Sequence, residues 1–435
     1  MGKGLDLYKR AQALIPGGTQ LLSKRPEMFL PEQWPAYYSK ARGVQVWDLD
    51  GNRYIDATHF SVGAPVLGYA DPEVDAAVAE AIRNGTVCTL NCPEEVALAE
   101  LLVELHPWAE MVRLARGGGE VLSIAARIAR AATGRDKIAV CGYHGWCDWY
   151  LAANLADDQA LDGHLLPGLQ PTGVPRGLAS TIHTFAYNDL AALRSIMDRH
   201  GPQLAGVVME PARTTGPQPG FLESVRDLCH ANGSVLVFDE VTSGWRINTG
   251  GAHLVYGVAP DMAAFAKATG NGYPISALVG RRSVMDAAQS TFISSTAWTE
   301  RIGPAAALAT IGKHRRERVP DHLTRVGRRV QEGWRKAAAS AGLELTVSGI
   351  APLCYMAFAQ HGPEAATLFT QEMLDRGYLA GTGFYVSYAH SEDVVDQYLD
   401  HVEQVFRKMR PVIDAGQFGG VLRGPVKHTG FARLS

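Results

Sequence analysis

Long apolar runs are missing from this chain. No stretch approaches the length needed to cross a bilayer, and the start, Met1-Gly-Lys-Gly-Leu-Asp-Leu-Tyr-Lys, is too polar for a secretory leader. Neither sign of charge dominates, with 41 Lys and Arg against 44 Asp and Glu. That balance gives no electrostatic basis for gripping nucleic acid or an anionic membrane surface. Cysteine is sparse: Cys88, Cys92, Cys141, Cys147, Cys229 and Cys354 are scattered through 435 residues without the close pairs of a disulfide framework. His144 and Cys147 have the spacing of two metal ligands, but no second pair follows at a suitable distance, so no metal is expected. Repeats, low-complexity tracts and charge blocks are absent too. These absences point to a soluble, cytoplasmic protein.

A chain of this length exceeds one ordinary domain. The segment Val44-Gln-Val-Trp-Asp-Leu-Asp50-Gly51-Asn52-Arg-Tyr-Ile-Asp56 predicts a hairpin turning at Asp-Gly-Asn. From about residue 71 the pattern changes to helices alternating with short apolar strands. Helices are expected at Pro93 to Leu105, Glu120 to Thr133 and Phe221 to Asn232. Strands are expected at Lys137 to Cys141, Ala205 to Met209 and Val235 to Phe238. Continuous apolar strands separated by helices imply an α/β fold, a mostly parallel sheet covered on both faces. Beyond about 315 come a charged helix from Asp321 to Ala341, strands around Cys354-Tyr-Met-Ala-Phe and Tyr385-Val-Ser-Tyr, and a final helix from Val394 to Met409. The expected division is a large domain at 71–315 and a small α+β domain built from both termini, 1–70 and 316–435.

Two residues carry the chemistry. Lys267 stands alone in Asp261-Met-Ala-Ala-Phe-Ala-Lys267-Ala-Thr-Gly270-Asn-Gly272-Tyr-Pro274, between an apolar segment and a flexible turn. A desolvated lysine has a lowered pKa and can form a Schiff base with a carbonyl. Upstream, Ser234-Val-Leu-Val-Phe-Asp239-Glu240 reads as a buried strand ending in carboxylates. A carboxylate at that edge can hold a proton on a pyridine nitrogen. Together they suggest pyridoxal 5'-phosphate. Four further motifs each admit a plainer reading. The run Arg116-Gly117-Gly118-Gly119-Glu120 before a helix could cradle a phosphate or simply turn the chain. Tyr143, in Cys141-Gly-Tyr143-His144-Gly145-Trp146, could stack on a flat cofactor or serve as a core aromatic. Glu210, in Met209-Glu210-Pro211, faces the ligand edge or holds a loop. Ser294-Ser295-Thr296 offers hydroxyls to phosphate oxygens or caps the helix starting near Ile302.

The ordered series Gly-Gly-Gly-Glu, Tyr-His-Gly, Glu-Pro, Phe-Asp-Glu-Val, Lys-Ala-Thr-Gly-Asn-Gly-Tyr-Pro and Ser-Ser-Thr resembles the class III aminotransferases. Within that class it is similar to the glutamate-1-semialdehyde 2,1-aminomutase group. The likeness spans almost the whole chain, from Pro16-Gly-Gly to Tyr388-Ala-His390. It implies fold type I of the pyridoxal-phosphate enzymes and a homodimer with shared sites. It also implies roles: Lys267 as the Schiff-base lysine and proton carrier, and Asp239 as partner of the pyridinium nitrogen. Val241 and Tyr143 would lie against the two ring faces. Gly118 and Gly119 would offer amides to the phosphate, with Thr296 reaching it from the partner subunit.

Departures from the family pattern mark where the resemblance stops. Relatives with Asn-Ser-Gly-Thr-Glu-Ala have a hydroxyl where this chain has Gly119, leaving Arg116 or backbone amides to compensate. Leu21 and Lys24 stand where aminomutases have the Ser and Arg that grip the substrate carboxylate, and Thr382 replaces an acidic residue. The expected reaction is transfer of an amino group between a donor and a carbonyl substrate. An intramolecular aminomutase, an epimerase and a non-catalytic module with the same fold are the alternatives.

Overall fold

The computed structural model describes residues 2–164 and 167–430. The chain divides into two compact units, Pro72–Pro320 forming one, and the residues up to Asp71 together with Asp321–Thr429 forming the other. No helix among the described residues is long and apolar enough to cross a membrane.

The first unit is built on a seven-stranded sheet. From edge to edge its strands are Met111–Ala115, Ser276–Gly280, Met262–Phe265, Val235–Asp239, Leu204–Met209, Lys137–Cys141 and Ile182–Thr184. All run parallel except Ser276–Gly280, which is antiparallel to both neighbours. Parallel strands buried on both faces need apolar side chains at every position. Leu204–Met209 and Val235–Asp239 are accordingly buried throughout. The helix Gly118–Thr133 shows why this sequence covers that sheet. Its Val121, Leu122, Ile124, Ala125, Ala126, Ile128 and Ala129 are buried in the same core as Val140, Val208, Val237, Ala264 and Leu278. Each of the larger side chains contributes roughly 1.5–3 kcal/mol by leaving water. The helix begins at Gly118, two residues before the expected Glu120. The reason is local: the Glu120 carboxylate accepts the backbone N–H groups of Arg116 and Gly117, capping the end from inside its own first turn. Gly134, with φ 65°, ends the helix in the left-handed conformation that glycine takes without strain.

In the second unit the hairpin forms where the Asp-Gly-Asn turn places it, between Gln45–Asp48 and Arg53–Ala57. Tyr378–Ala380, far along the chain, adds to it in parallel. A separate antiparallel sheet joins Leu345–Ser348, Leu353–Phe358 and Gly383–Tyr385. The strand expected over Tyr385-Val-Ser-Tyr ends at its first residue, because the backbone then turns to bond Val66. The last helix spans Glu392–Ala415 and passes straight through Pro411, beyond the expected end at Met409. Proline there removes one backbone bond, yet Phe406, Met409 and Ile413 are buried on one continuous stripe, and packing carries the helix on.

Candidate active site

The carboxyl ends of the parallel strands meet at one edge of the large sheet, the edge where open α/β sheets bind ligands. Asp239 ends Val235–Asp239, Tyr143 and His144 follow Lys137–Cys141, Glu210 follows Leu204–Met209, and Lys267 follows Met262–Phe265. The glycine run follows Met111–Ala115. Sheet topology therefore collects residues scattered over 150 sequence positions.

Lys267 is half-buried and has a left-handed backbone, φ 46°. A lysine gains nothing from that conformation, which costs roughly 1–2 kcal/mol. It starts a short 3₁₀ turn, Lys267–Gly270, inside the connection between two adjacent antiparallel strands. The ammonium donates to Thr242 Oγ1 at 2.6 Å. Burial pushes the amine down to about 7, and the charge of Arg213 pushes the same way against the opposing carboxylates of Asp239 and Glu210. An amine in that range can exchange protons or attack a carbonyl near neutral pH.

Asp239 is buried, and both its oxygens are used. Oδ1 accepts the Val241 N–H at 3.0 Å, and Oδ2 accepts Nδ1–H of the fully buried His144 at 2.8 Å. The next residue, Glu240, points the other way. Its carboxylate accepts from His253 Nδ1 at 2.8 Å and from the His253 N–H, while His253 Nε2 accepts the indole of Trp108. Burial alone would raise Glu240, but the His253 and Ser243 bonds outweigh it and hold the carboxyl below its ordinary value. Of the two carboxylates ending this strand, one faces the site and one anchors its back.

Val241 and Tyr143 are each half-buried against the large core, so each keeps one side uncovered. Burial raises the Tyr143 phenol. Gly118 lies directly against Val241: a Cβ there would stand 3.0 Å from Val241 Cγ1 and 3.9 Å from the Ala266 Cβ. The amino end of the helix is thus brought beside the segment carrying Lys267. The first N–H groups of a helix lack intrahelical partners and carry partial positive charge, so Gly118 and Gly119 present donors suited to a phosphate.

Lys267, Asp239, Val241, Tyr143, Gly118 and Gly119 are therefore all placed at this edge. Thr296 stands on an exposed segment at the start of the turn Thr296–Thr299, and its hydroxyl makes no hydrogen bond among the described residues. Capping of the helix at Ile302 falls to Glu300, which accepts the Ile302 and Gly303 N–H groups, and not to the serine cluster. Arg116 does not stand ready for a phosphate either. Its guanidinium donates to the carbonyls of Ala115, Trp298 and Glu300 and lies 2.8 Å from the Glu300 carboxylate. Sequence reading missed two contributors. The signal for His144 was a histidine beside Tyr143 at a strand end; for Thr242 it was a hydroxyl in the turn just after Asp239. Glu210 sits 3.2 Å from Arg213, and the Tyr143 N–H donates to its other oxygen at 3.4 Å. Lys24, Leu21 and Thr382 belong to the other unit, where the Lys24 charge acts on the buried Asp56.

A near-neutral amine, a doubly bonded buried carboxylate, two side chains with uncovered faces and a helix end free of Cβ atoms fit pyridoxal phosphate. Comparison with known proteins supports the same cofactor. The class III aminotransferase family model matches residues 31–406. The 3-aminobutyryl-CoA aminotransferase of Cloacimonas acidaminovorans is 34% identical over 366 residues, covering 82% of this chain and 84% of that protein. The glutamate-1-semialdehyde 2,1-aminomutase of Desulfovibrio desulfuricans is also 34% identical, over 92% of this chain and 98% of its own. Among solved structures, the FumI protein of Sphingopyxis sp. MTA144 aligns with a TM-score of 0.86 at 27% identity, covering 97% of this chain and 99% of that one. An omega-transaminase from Sphaerobacter thermophilus aligns at 0.83 with 25% identity, covering 94% and 98%. The chain belongs to the class III aminotransferases, fold type I enzymes that use pyridoxal phosphate to move amino groups between small amino and carbonyl compounds.

Proposed function

We propose that this enzyme is an intermolecular transaminase, taking nitrogen from an amino donor and delivering it to a separate carbonyl acceptor. The observation that carries the amino-transfer site is Lys267, whose amine is pushed down to about 7 within reach of the Asp239 charge. When bound, pyridoxal phosphate supplies an electron sink for the substrate carbon next to nitrogen. Lys267 would hold the cofactor covalently and, when its amine is free, would accept and return the substrate proton. Thr242 Oγ1, 2.6 Å away, fixes where that amine waits. Asp239 would hold charge against the ring nitrogen, and the His144 N–H prevents the carboxylate from rotating away. Tyr143 and Val241 would flank the ring. The Gly118 and Gly119 amides would seat the phosphate, with Thr296 of the partner subunit completing the seat in a homodimer. The large domain, 71–315 as read from sequence, binds the cofactor, and the small domain comprises 1–70 and 316–435. Six free cysteines support a reducing, cytoplasmic setting.

Relatives of equal identity bear an aminotransferase name and an aminomutase name, so overall identity does not separate the reactions. Leu21 and Lys24 favour the transaminase. A lysine is a single point of charge, not the bidentate fork that grips a small carboxylate. Nitrogen-15 tracing tests the choice. Label passing from donor to acceptor supports it, and label retained within one substrate, with no donor needed, overturns it in favour of a mutase. Borohydride reduction followed by peptide mapping tests Lys267: the pyridoxyl group is expected there and nowhere else.

A further inference from the structure

The glycine run itself offers the proposed phosphate seat no side-chain donor. Residues 117–119 carry no side chain, and Arg116 is committed to the carbonyls of Ala115, Trp298 and Glu300. Nearby polar groups are turned inward: Ser123 Oγ and Cys147 Sγ both donate to the Gly119 carbonyl, and Ser123 Oγ also accepts the Trp149 indole.

One donor remains. The loop after Lys137–Cys141 presses on the helix end at Gly145, whose φ of 99° is suited to glycine and whose missing Cβ would stand 3.0 Å from Gly119 Cα. This close approach lays the next side chain, Trp146, over the seat. Trp146 Nε1 and Cδ1 both lie 3.5 Å from the position a Cβ would take on Gly119, so the ring edge bearing the N–H occupies the space next to a side chain there. That N–H meets no acceptor among the described residues, and the ring is 75% exposed. A large aromatic ring spread in solvent over a helix start loses apolar burial with no return inside the chain.

Resting on the reading of Gly118 and Gly119 as the phosphate seat, we propose that the Trp146 indole N–H replaces the absent hydroxyl and donates to the cofactor phosphate. Indole is a donor only and does not titrate, so it suits an acceptor-only phosphate at any pH where the enzyme works. The missing hydroxyl and the tryptophan form a matched pair: a bulky residue at 119 would displace the indole edge, and glycine lets it in.

The test compares wild type, Trp146→Phe and Trp146→Phe/Gly119→Ser, each as holoenzyme depleted of cofactor and titrated with pyridoxal phosphate or with pyridoxal, which lacks the phosphate. Hydrogen bonds to charged groups set the expectation at a roughly ten- to hundredfold rise in the pyridoxal phosphate dissociation constant for Trp146→Phe. Pyridoxal affinity is expected to stay unchanged, the bound phosphorus-31 resonance to shift, and the serine of the double variant to restore part of the loss. Equal affinities of wild type and Trp146→Phe for pyridoxal phosphate overturn the proposal while leaving the seat intact. Equal losses for both ligands overturn it too, assigning the ring a packing role. A wild type that binds pyridoxal phosphate no better than pyridoxal removes the seat itself.

Discussion

Replacing Lys267 by methionine should make the cofactor-free protein more stable, and the gain should fade as pH rises. Methionine has nearly the same length and an apolar end, so it keeps the packing and deletes only the ionisable amine. The amine titrates near its ordinary 10.5 when unfolded and is pushed down to about 7 in the fold. Because the folded value is the lower one, unfolding takes up a proton between those limits, and wild-type stability must climb with pH across that window. Each pKa unit corresponds to about 1.4 kcal/mol, so the penalty on the native state is about 4–5 kcal/mol at and below pH 7, ~2 kcal/mol at pH 9 and near zero by pH 10.5. Loss of the 2.6 Å bond to Thr242 returns on the order of 1 kcal/mol, giving an expected net gain of about 3–4 kcal/mol at pH 7. Denaturant unfolding of the two apoproteins at half-unit steps from pH 6 to 10.5 measures the difference directly. A gap that is absent at pH 7, or one that stays constant to pH 10.5, refutes the view that Lys267 is stored as a destabilised amine.

Asp239→Asn keeps the shape of the carboxylate but removes its charge, so single-turnover proton abstraction should slow by two orders of magnitude or more with unfolding midpoints nearly unchanged; an unaltered rate refutes the role. Gly118→Ala brings a methyl to 3.0 Å from Val241 Cγ1 and should weaken cofactor binding severalfold, read by cofactor release on dilution. Mixing Lys267→Ala with Thr296→Ala subunits, shown by mass to exchange, should recover part of the activity in hybrid dimers; no recovery places each site within one chain. In the core, Ile128→Ala should cost about 2–5 kcal/mol in unfolding free energy, because Ile128 is fully buried beneath the sheet.

Period and turn chemistry made much of this fold readable. Pro93–Leu105, Phe221–Asn232 and Lys137–Cys141 begin and end where apolar spacing and the flanking proline or glycine place them. Harder to read were effects that act at a distance along the chain. Nothing local shows that packing carries the final helix past Pro411. The same holds in the site. Lys267 and Asp239 announce themselves by sitting at the ends of apolar runs. His144 meets Asp239 only because two strands with two further strands and their helices between them in the chain lie two apart in the sheet. Trp146 looks like any aromatic until the loop conformation at Gly145 brings it over Gly119.

The single reversed strand, Ser276–Gly280, bears on how such enzymes diversify. Running beside Met262–Phe265, it clamps both ends of the short connection that holds Lys267 into neighbouring rungs of one ladder. The reactive amine is thereby indexed to the sheet and insulated from the other connections at that edge, which can lengthen, shorten or change character without dragging it out of register. A fold so arranged offers a fixed chemical origin with variable surroundings. Selection can then exchange one substrate for another by rewriting the surrounding loops while the reactive centre keeps its coordinates.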